Sequence, residues 1–470
     1  MSTIGKATRI NLTDFKSPQM RVFHLSWFAF FLSFFAWFGI APLMPVVRED
    51  LGLSKAQIGN TIIASVAITI LVRLLAGVLC DKWGPRITYS SLLILGSLPV
   101  MSVGLAHDYQ SFLIFRLAIG AIGASFVITQ YHTTMMFAPN IVGTAQATTA
   151  GWGNLGGGIT QMAMPLLLAA IMTVVADQSL GWRLAMVVPG VGLLLTGFAY
   201  YFLTQDCPEG NFRELRAQGR LPASPKSGGN FLAAAKDYRV WALFLIYGAC
   251  FGVELTIDNI AALHFHDQFA LNVRTAGLIA GLFGLMNIFA RSLGGWSSDR
   301  AAQRFGLNGR KWVLFAIILA EGISLVMFSQ MDSLTAAVSL MMIFGLFVCM
   351  GCGATYGLVP FINRQALGPV AGIVGAGGNA GALLAGFLFR MEGLSTTSAM
   401  LIIGVIVTVL SGAALWVRFS PQTQASEQAA FEEALRERAA LRPSPGMVGE
   451  TAEIRYPVGK MAKPSLKAKV

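Results

Sequence analysis

The chain has 470 residues, of which 55% are hydrophobic and only 12% charged, about half the charge of an ordinary soluble domain. Apolar runs of about 20 residues recur from end to end, which excludes a soluble enzyme and predicts an all-α, multi-pass membrane protein. The net charge of +11 is explained below by topology, so nothing calls for a nucleic-acid partner.

Met1–Met20 is polar and precedes an apolar run too long for a signal-peptide core, so no cleaved signal is expected. Twelve apolar spans follow, at 22–46, 57–80, 87–106, 111–137, 143–174, 183–205, 239–263, 273–297, 311–330, 334–362, 368–390 and 396–418. Residues 22–205 and 239–418 read as two six-helix halves. They flank a polar Gly/Pro/Ser-containing linker, 206–238, between an N-tail (1–21) and a C-tail (419–470). The tail segment ASEQAAFEEALRERAALR has Glu432 and Arg436 at i,i+4 spacing, which predicts a short charged helix. A basic, Pro-containing end suited to anionic lipid comes after it.

Lys and Arg set the expected orientation. With both termini cytoplasmic, 25 of the 34 basic residues fall on the cytoplasmic side, 5 on the other, and 4 inside spans or at their ends. An integral plasma (inner) membrane location is expected. No Walker loop, HExxH or nucleotide fingerprint in the right context appears, so neither an ATP-driven pump nor an enzyme is expected, and no cofactor. The pair Cys349 and Cys352 forms a CxxC within an apolar helix. With no second ligand pair, it reads as small residues at a helix contact rather than a metal or redox site.

The halves repeat. Span two ends RLLAGVLCDKWGPR and span eight ends RSLGGWSSDR, so Arg73, Gly77 and Asp81 align with Arg291, Gly295 and Asp299. The GNLG of span five (Gly153, Asn154, Gly156) matches the GNAG of span eleven (Gly378, Asn379, Gly381). Such recurrence is the mark of parallel repeats about an axis normal to the membrane. Eight residues of helix rise about 12 Å, and half a hydrocarbon core is about 15 Å. Arg73 and Arg291 therefore lie near the midplane, and Asn154 and Asn379 reach the same depth.

A lone arginine there is expensive. One reading pairs each arginine with a buried carboxylate, yet spans two, five, eight and eleven carry no Asp or Glu between their loop ends, Glu392 lying just beyond. The other reading makes a substrate anion the missing partner. Gly153–Gly157 and Gly377–Gly381 form GxxxG pairs that let helix backbones approach closely, whether for helix contacts alone or to bring the amides to a narrow cavity.

The stretch GxxxDxxGxR from Gly77 to Arg86, repeated more loosely near Asp299, resembles the loop signature of the major facilitator superfamily. AGWGNLGGGITQ and GAGGNAG resemble the signature segments of its nitrate/nitrite porter family. TQYHTTMMFAP, YGACFGVELTIDNIAALHF, IFARSLGGWSSD and CGATYGLVPF are most similar to the high-affinity branch of plants and cyanobacteria. The resemblance covers spans one to twelve.

It implies the major facilitator fold and an anion site of Arg73, Arg291, Asn154, Phe126, Tyr247 and Phe251, with Asn379 the repeat partner of Asn154. A planar anion suits a planar guanidinium, and aromatic walls can sandwich it. The implied activity is nitrate import by alternating access, with protons as co-substrate and nitrite an open second substrate. Import opposes an inside-negative potential, so a driving ion or an exchanged anion is required. Glu254 and Asp258, one turn apart on span seven, are the proton-coupling candidates, with His264 and His266 beyond. The competing reading has Glu254 bonding locally and Asp258 to His266 forming an outer helix end. Arg116, followed by Gly120 and Gly123, resembles another superfamily signature. Nitrate/nitrite exchange, a non-transporting nitrate receptor and a carrier for another small anion are the alternatives. Oligomeric state and any accessory subunit stay open.

Overall fold

A computed structural model describes residues 5–137, 141–220, 228–363 and 367–425. Twelve helices are long and apolar enough to cross a membrane, with bounds Pro18–Leu51, Lys55–Cys80, Pro85–Leu105, Tyr109–Met136, Thr144–Ile171, Gln178–Leu203, Tyr238–Phe269, Val273–Ala302, Arg304–Phe328, Leu334–Tyr356, Pro369–Arg390 and Thr396–Trp416. They are numbered as spans one to twelve. Each overlaps the span expected from the apolar runs.

The starts are set by caps that satisfy the first free amides. Ser54 and Gln57 form a capping box ahead of Lys55. The Asp177 side chain accepts from the Ser179 N–H, so span six begins five residues before the apolar run at 183. Span seven runs six residues past 263, continuing through His264, His266 and Asp267. The alternative in which Asp258 to His266 form a helix end is therefore wrong. Asp258 lies buried, three turns before the end.

Spans one and seven are the most enclosed. Span one packs on span five, and span seven on spans ten and eleven. The two halves meet along two seams that mirror each other in the repeat, span two against eleven and span five against eight. Leu71, Leu75, Val78, Leu195 and Phe202 are exposed, as expected of side chains that face lipid.

Glycine permits the close crossings. A Cβ on Gly377 would stand 2.2 Å from the Phe244 carbonyl oxygen, and one on Gly381 would stand 2.2 Å from that of Gly248. Span eleven therefore lies directly on span seven. Gly153 and Gly156 play the same part in span five against Phe30 and Phe31 of span one.

Gly84 turns the chain between spans two and three at φ +91°. The Asp206 carboxylate sits against it and accepts from the backbone N–H groups of Arg86 (2.8 Å) and Phe212 (2.9 Å). Burial pushes the Asp206 carboxyl above the usual range, against the pull of those two donors. In the second half Arg310 donates to Asp299 at 2.6 Å across the corresponding turn, where Gly306 has φ +58°.

The linker contributes short helices at Phe212–Ala217 and Gly228–Ala235. Past Arg418, the Thr423 N–H donates to the Ser420 hydroxyl at 3.1 Å. The expected tail helix around Glu432 and Arg436 lies outside the described residues.

Candidate functional site

Arg73 is 7% exposed. Its Nε and Nη2 donate to the Gly123 carbonyl at 3.3 Å, and Nη1 reaches the Gly375 carbonyl of the other half at 3.5 Å. Its guanidinium lies 5.4 Å from the Phe126 ring centre and 5.9 Å from that of Phe251. No carboxylate pairs with it among the described residues.

Arg291, also 7% exposed, is held differently. Its Nη2 donates to Glu254 Oε2 at 2.7 Å, and its Nε donates to Asn287 Oδ1 at 2.7 Å. Asn287 Nδ2 closes the triangle on Glu254 Oε1 at 2.9 Å. This corrects the expectation that neither midplane arginine has a resident counter-ion. The four spans that carry the repeated motifs do lack carboxylates short of their loop ends, but the partner comes from span seven. Glu254 does not bond locally either, since its oxygens reach spans eight and ten, where Cys352 Sγ donates to Oε2 at 3.5 Å.

The structure brings the two arginines onto one site. The guanidinium of Arg291 is 5.5 Å from the Phe251 ring centre, so this one ring faces both cations, an arrangement its electron-rich face favours. Tyr247 stacks on Phe251 (5.1 Å, 19°) and meets Tyr356 edge-on at 5.1 Å. Tyr356 in turn meets Phe126 at 6.4 Å. The result is an aromatic ring around two guanidiniums, built from both halves.

Tyr356, an electrostatic neighbour of both arginines, is a site residue that sequence reasoning missed. Asn287 is another. It lies four residues before Arg291, in the 3-10 turn Met286–Ile288 that precedes the helix starting at Ala290, and that short spacing was the available signal.

Asn154 and Asn379 are fully buried, and none of their four amide atoms has a hydrogen-bond partner among the described residues. Their neighbours are more telling. Gly378 packs on Phe251, and a Cβ on Gly157 would stand 2.9 Å from Asp258 Oδ2. Asp258 thus faces span five of the other half. Its backbone carbonyl accepts from Gln161 at 2.5 Å.

Cys349 and Cys352 are buried thiols. Cys352 has the carboxylate contact above, which the CxxC spacing alone does not foretell. Arg116 is buried and donates to the Trp37 carbonyl (3.2 Å) and to Asn259 Oδ1 (3.3 Å), linking spans one, four and seven.

On one face of this level the halves are fastened together. Arg48 pairs with Asp267 at 2.7 Å, Lys55 donates to the Leu394 carbonyl, and Gly59 lies against the backbone of Arg390. A cavity between these fastenings is lined by Arg48, Lys55, His264 and Asp267. On the opposite face, Cβ atoms on Gly77 and Gly295 would meet open space.

Residues 26–362 match the Major Facilitator Superfamily. The chain belongs to this superfamily. It is 41% identical over 385 residues to "High affinity nitrate transporter 2.5" of Arabidopsis thaliana, covering 82% of this chain and 76% of that protein. It is 40% identical to "High-affinity nitrate transporter 2.3" of Oryza sativa subsp. japonica (82% and 74% covered). At 29% identity it matches "Nitrate/nitrite transporter NrtP" of Nostoc punctiforme (83% and 91% covered). These relatives place it in the nitrate/nitrite porter family, among membrane transporters and not enzymes. A solved bacterial homologue of the human lysosomal transporter Spinster, inward-facing and unoccupied, superimposes with a TM-score of 0.67 at 17% identity. It covers 86% of this chain and 99% of its own, and shows the shared fold.

Proposed function

We propose that the chain imports nitrate, with nitrite a second substrate, by proton-coupled symport and alternating access around Arg73 and Arg291. Nitrate rests on the named relatives. The observation that carries the proton is the Arg291–Glu254 pair beside an Arg73 whose hydrogen bonds, among the described residues, all go to carbonyls. Two arginines and one carboxylate leave one uncompensated positive charge. A bound anion that takes the Arg291 donor now held by Glu254 displaces that carboxylate, and a displaced carboxylate that is 1% exposed is costly unless it takes a proton. Anion and proton then bind together, and the pair that leaves is neutral.

In this reading Arg73, Arg291, Asn154, Asn379, Phe126, Tyr247, Phe251 and Tyr356 hold the anion, Glu254 takes the proton, and Asp258 senses the opposing half. The basic face is cytoplasmic, with both termini, in a plasma (inner) membrane. The fastenings at Arg48 and Lys55 then lie on the outer side.

The test is nitrate flux in proteoliposomes with the pH gradient and the voltage set independently. Uptake driven by an inward proton gradient at zero voltage supports symport. Flux that ignores the proton gradient but requires internal nitrite supports exchange instead, and binding with no flux supports a receptor.

A further inference from the structure

One face of span one borders an open groove of about 600 Å³. Arg21, His24, Leu25 and Phe28 line it, and their i, i+3, i+4, i+7 spacing puts them on one side of the helix. The facing walls are Trp152 of span five, Leu203 at the end of span six, and Leu12 and Phe15 of the N-terminal tail.

The groove has the shape of an amphiphile. Arg21 stands three residues inside the start of span one at Pro18, at the level of the membrane surface. Phe28 lies seven residues further on, about 10 Å deeper along the helix. The mouth is therefore polar and the floor apolar. Phe28 and Leu203 are exposed, so the floor opens toward the acyl chains.

Arg21 is the cation at the mouth. Its Nε is enclosed and has no hydrogen-bond partner among the described residues, and no acid there pairs with its guanidinium. An arginine reaching straight out to water would wet that nitrogen; this one lies along the groove. The surrounding stretch, residues 5–21, holds Lys6, Arg9, Lys16 and Arg21 against Asp14. The Asp14 carboxylate is taken up by the backbone N–H groups of Lys16 (2.9 Å) and Ser17 (3.0 Å). The mouth is left positive and without a counter-ion.

The tail is laid against the bundle. The Ala7 N–H donates to the Met136 carbonyl at 2.9 Å, and Phe15 stacks on the His24 ring at 4.5 Å and 21°. Trp27 Nε1 donates to His24 Nδ1 at 3.4 Å and meets Trp152 edge-on at 5.4 Å. Leu12 and Phe15 are nonetheless exposed. In water a polar tail has no use for two outward apolar side chains; at a bilayer surface they are buried among headgroups and upper acyl carbons. The indoles suit the same level.

We propose that this groove binds an anionic phospholipid from the leaflet next to the N-terminus. Its phosphate sits on Arg21 and an acyl chain runs along Leu25, Phe28 and Leu203. A guanidinium donates to phosphate through charge-assisted hydrogen bonds, and basic pockets beside membrane helices favour anionic headgroups. A zwitterionic headgroup brings its own cation to a mouth that is already positive. The site contains neither Arg73 nor Arg291, so it stands whichever ion drives transport.

The experiment offers phosphatidylglycerol and phosphatidylcholine separately to the purified full chain in neutral detergent, with bound lipid counted by native mass spectrometry. One phosphatidylglycerol should bind at least tenfold more tightly than phosphatidylcholine. Arg21→Gln should remove that preference, while Arg9→Gln, an exposed cation of the same tail, should keep it. Equal affinity for the two lipids overturns the proposal, as does an equal loss in both variants, which would mean diffuse attraction to the tail. Millimolar inorganic phosphate should leave the lipid in place; displacement would mean a site for free phosphate instead.

A second reading locates the lipid in the unmutated groove. In mixed bilayers, chain-brominated phosphatidylglycerol should quench the fluorescence of Trp27 and Trp152 more than brominated phosphatidylcholine does at the same mole fraction. Their share is the difference between the native chain and a Trp27→Phe, Trp152→Phe variant. Equal quenching by the two lipids overturns the assignment to this groove even if Arg21→Gln fails to fold.

Discussion

Glu254→Gln tests the arrangement at its centre. The amide is nearly the size of the carboxyl. It can still accept from Asn287 and lie beside Cys352, but it removes the negative charge 2.7 Å from Arg291. Breaking a buried ion pair by removing one partner costs about 3–5 kcal/mol, because the remaining charge is left uncompensated. In the proposed competition nitrate supplies that compensation while Glu254 is displaced; in the variant the vacancy already exists. At about 1.4 kcal/mol per factor of ten, relief of the competition raises nitrate affinity at neutral pH by at most a factor of about 10² to a few thousand.

The variant's affinity should also lose its pH dependence. In the proposed symport one proton is taken up with each nitrate, so binding tightens as pH falls. The assay is isothermal titration of purified protein with nitrate across a pH series, paired with liposome uptake. Uptake driven by a proton gradient should disappear while exchange persists. Native-like affinity in the variant, with the native pH slope, would refute the competition between carboxylate and anion.

Arg73→Lys and Arg291→Lys each keep a charge but lose the planar fork. With about 1.5–3 kcal/mol at stake in a hydrogen bond to a charged group, nitrate affinity should fall at least tenfold in the same titration. Gly381→Val places side-chain carbon against the Gly248 carbonyl, where even a Cβ has only 2.2 Å. Overpacking of this kind costs about 1–3 kcal/mol or more, which thermal unfolding in detergent would read as a lower midpoint. Asp206→Asn turns an NH2 toward one of two backbone donors, leaving that donor unpaired at a cost of about 1–3 kcal/mol. Because burial raises the Asp206 carboxyl, the folded state holds its proton to higher pH than the unfolded state does. Native stability therefore falls as pH rises from the ordinary carboxylate range through the raised value, and the variant's thermal midpoint should lack that slope.

Span number and the paired motifs were legible because both are one-dimensional. An apolar run of about 20 residues reports a crossing, and Arg73 and Arg291 stand at equal spacing from their glycines and loop aspartates. Depth followed from helix rise alone. Which helices face one another did not, and this is where the expectation about Arg291 failed. Its counter-ion belongs to span seven, a helix without the repeated motif, and no periodicity shows that Glu254 turns toward span eight. Tyr356 was hidden for the same reason, since only the packing of span ten sets its phenol beside both arginines. The helix end expected near Asp258 was misplaced because polar side chains resemble a boundary when read along the chain. In three dimensions Asp258 is buried against Gly157 of span five.

The two halves are copies in their glycines, amides and arginines, yet they differ in what satisfies each arginine. Arg73 donates to carbonyls of Gly123 and Gly375, neutral acceptors that hold the side chain without cancelling its charge. Arg291 has an ionisable acceptor in Glu254, tied through Asn287 on both sides. A site with two carboxylates would hold no net charge and would attract an anion weakly; a site with none would bind an anion without needing a proton. One of each gives a standing positive charge that draws the anion in, and a second positive charge made available only by protonation. The divergence between the repeats is thus what can tie anion movement to proton movement, and a symmetric pair of arginines would lack that coupling.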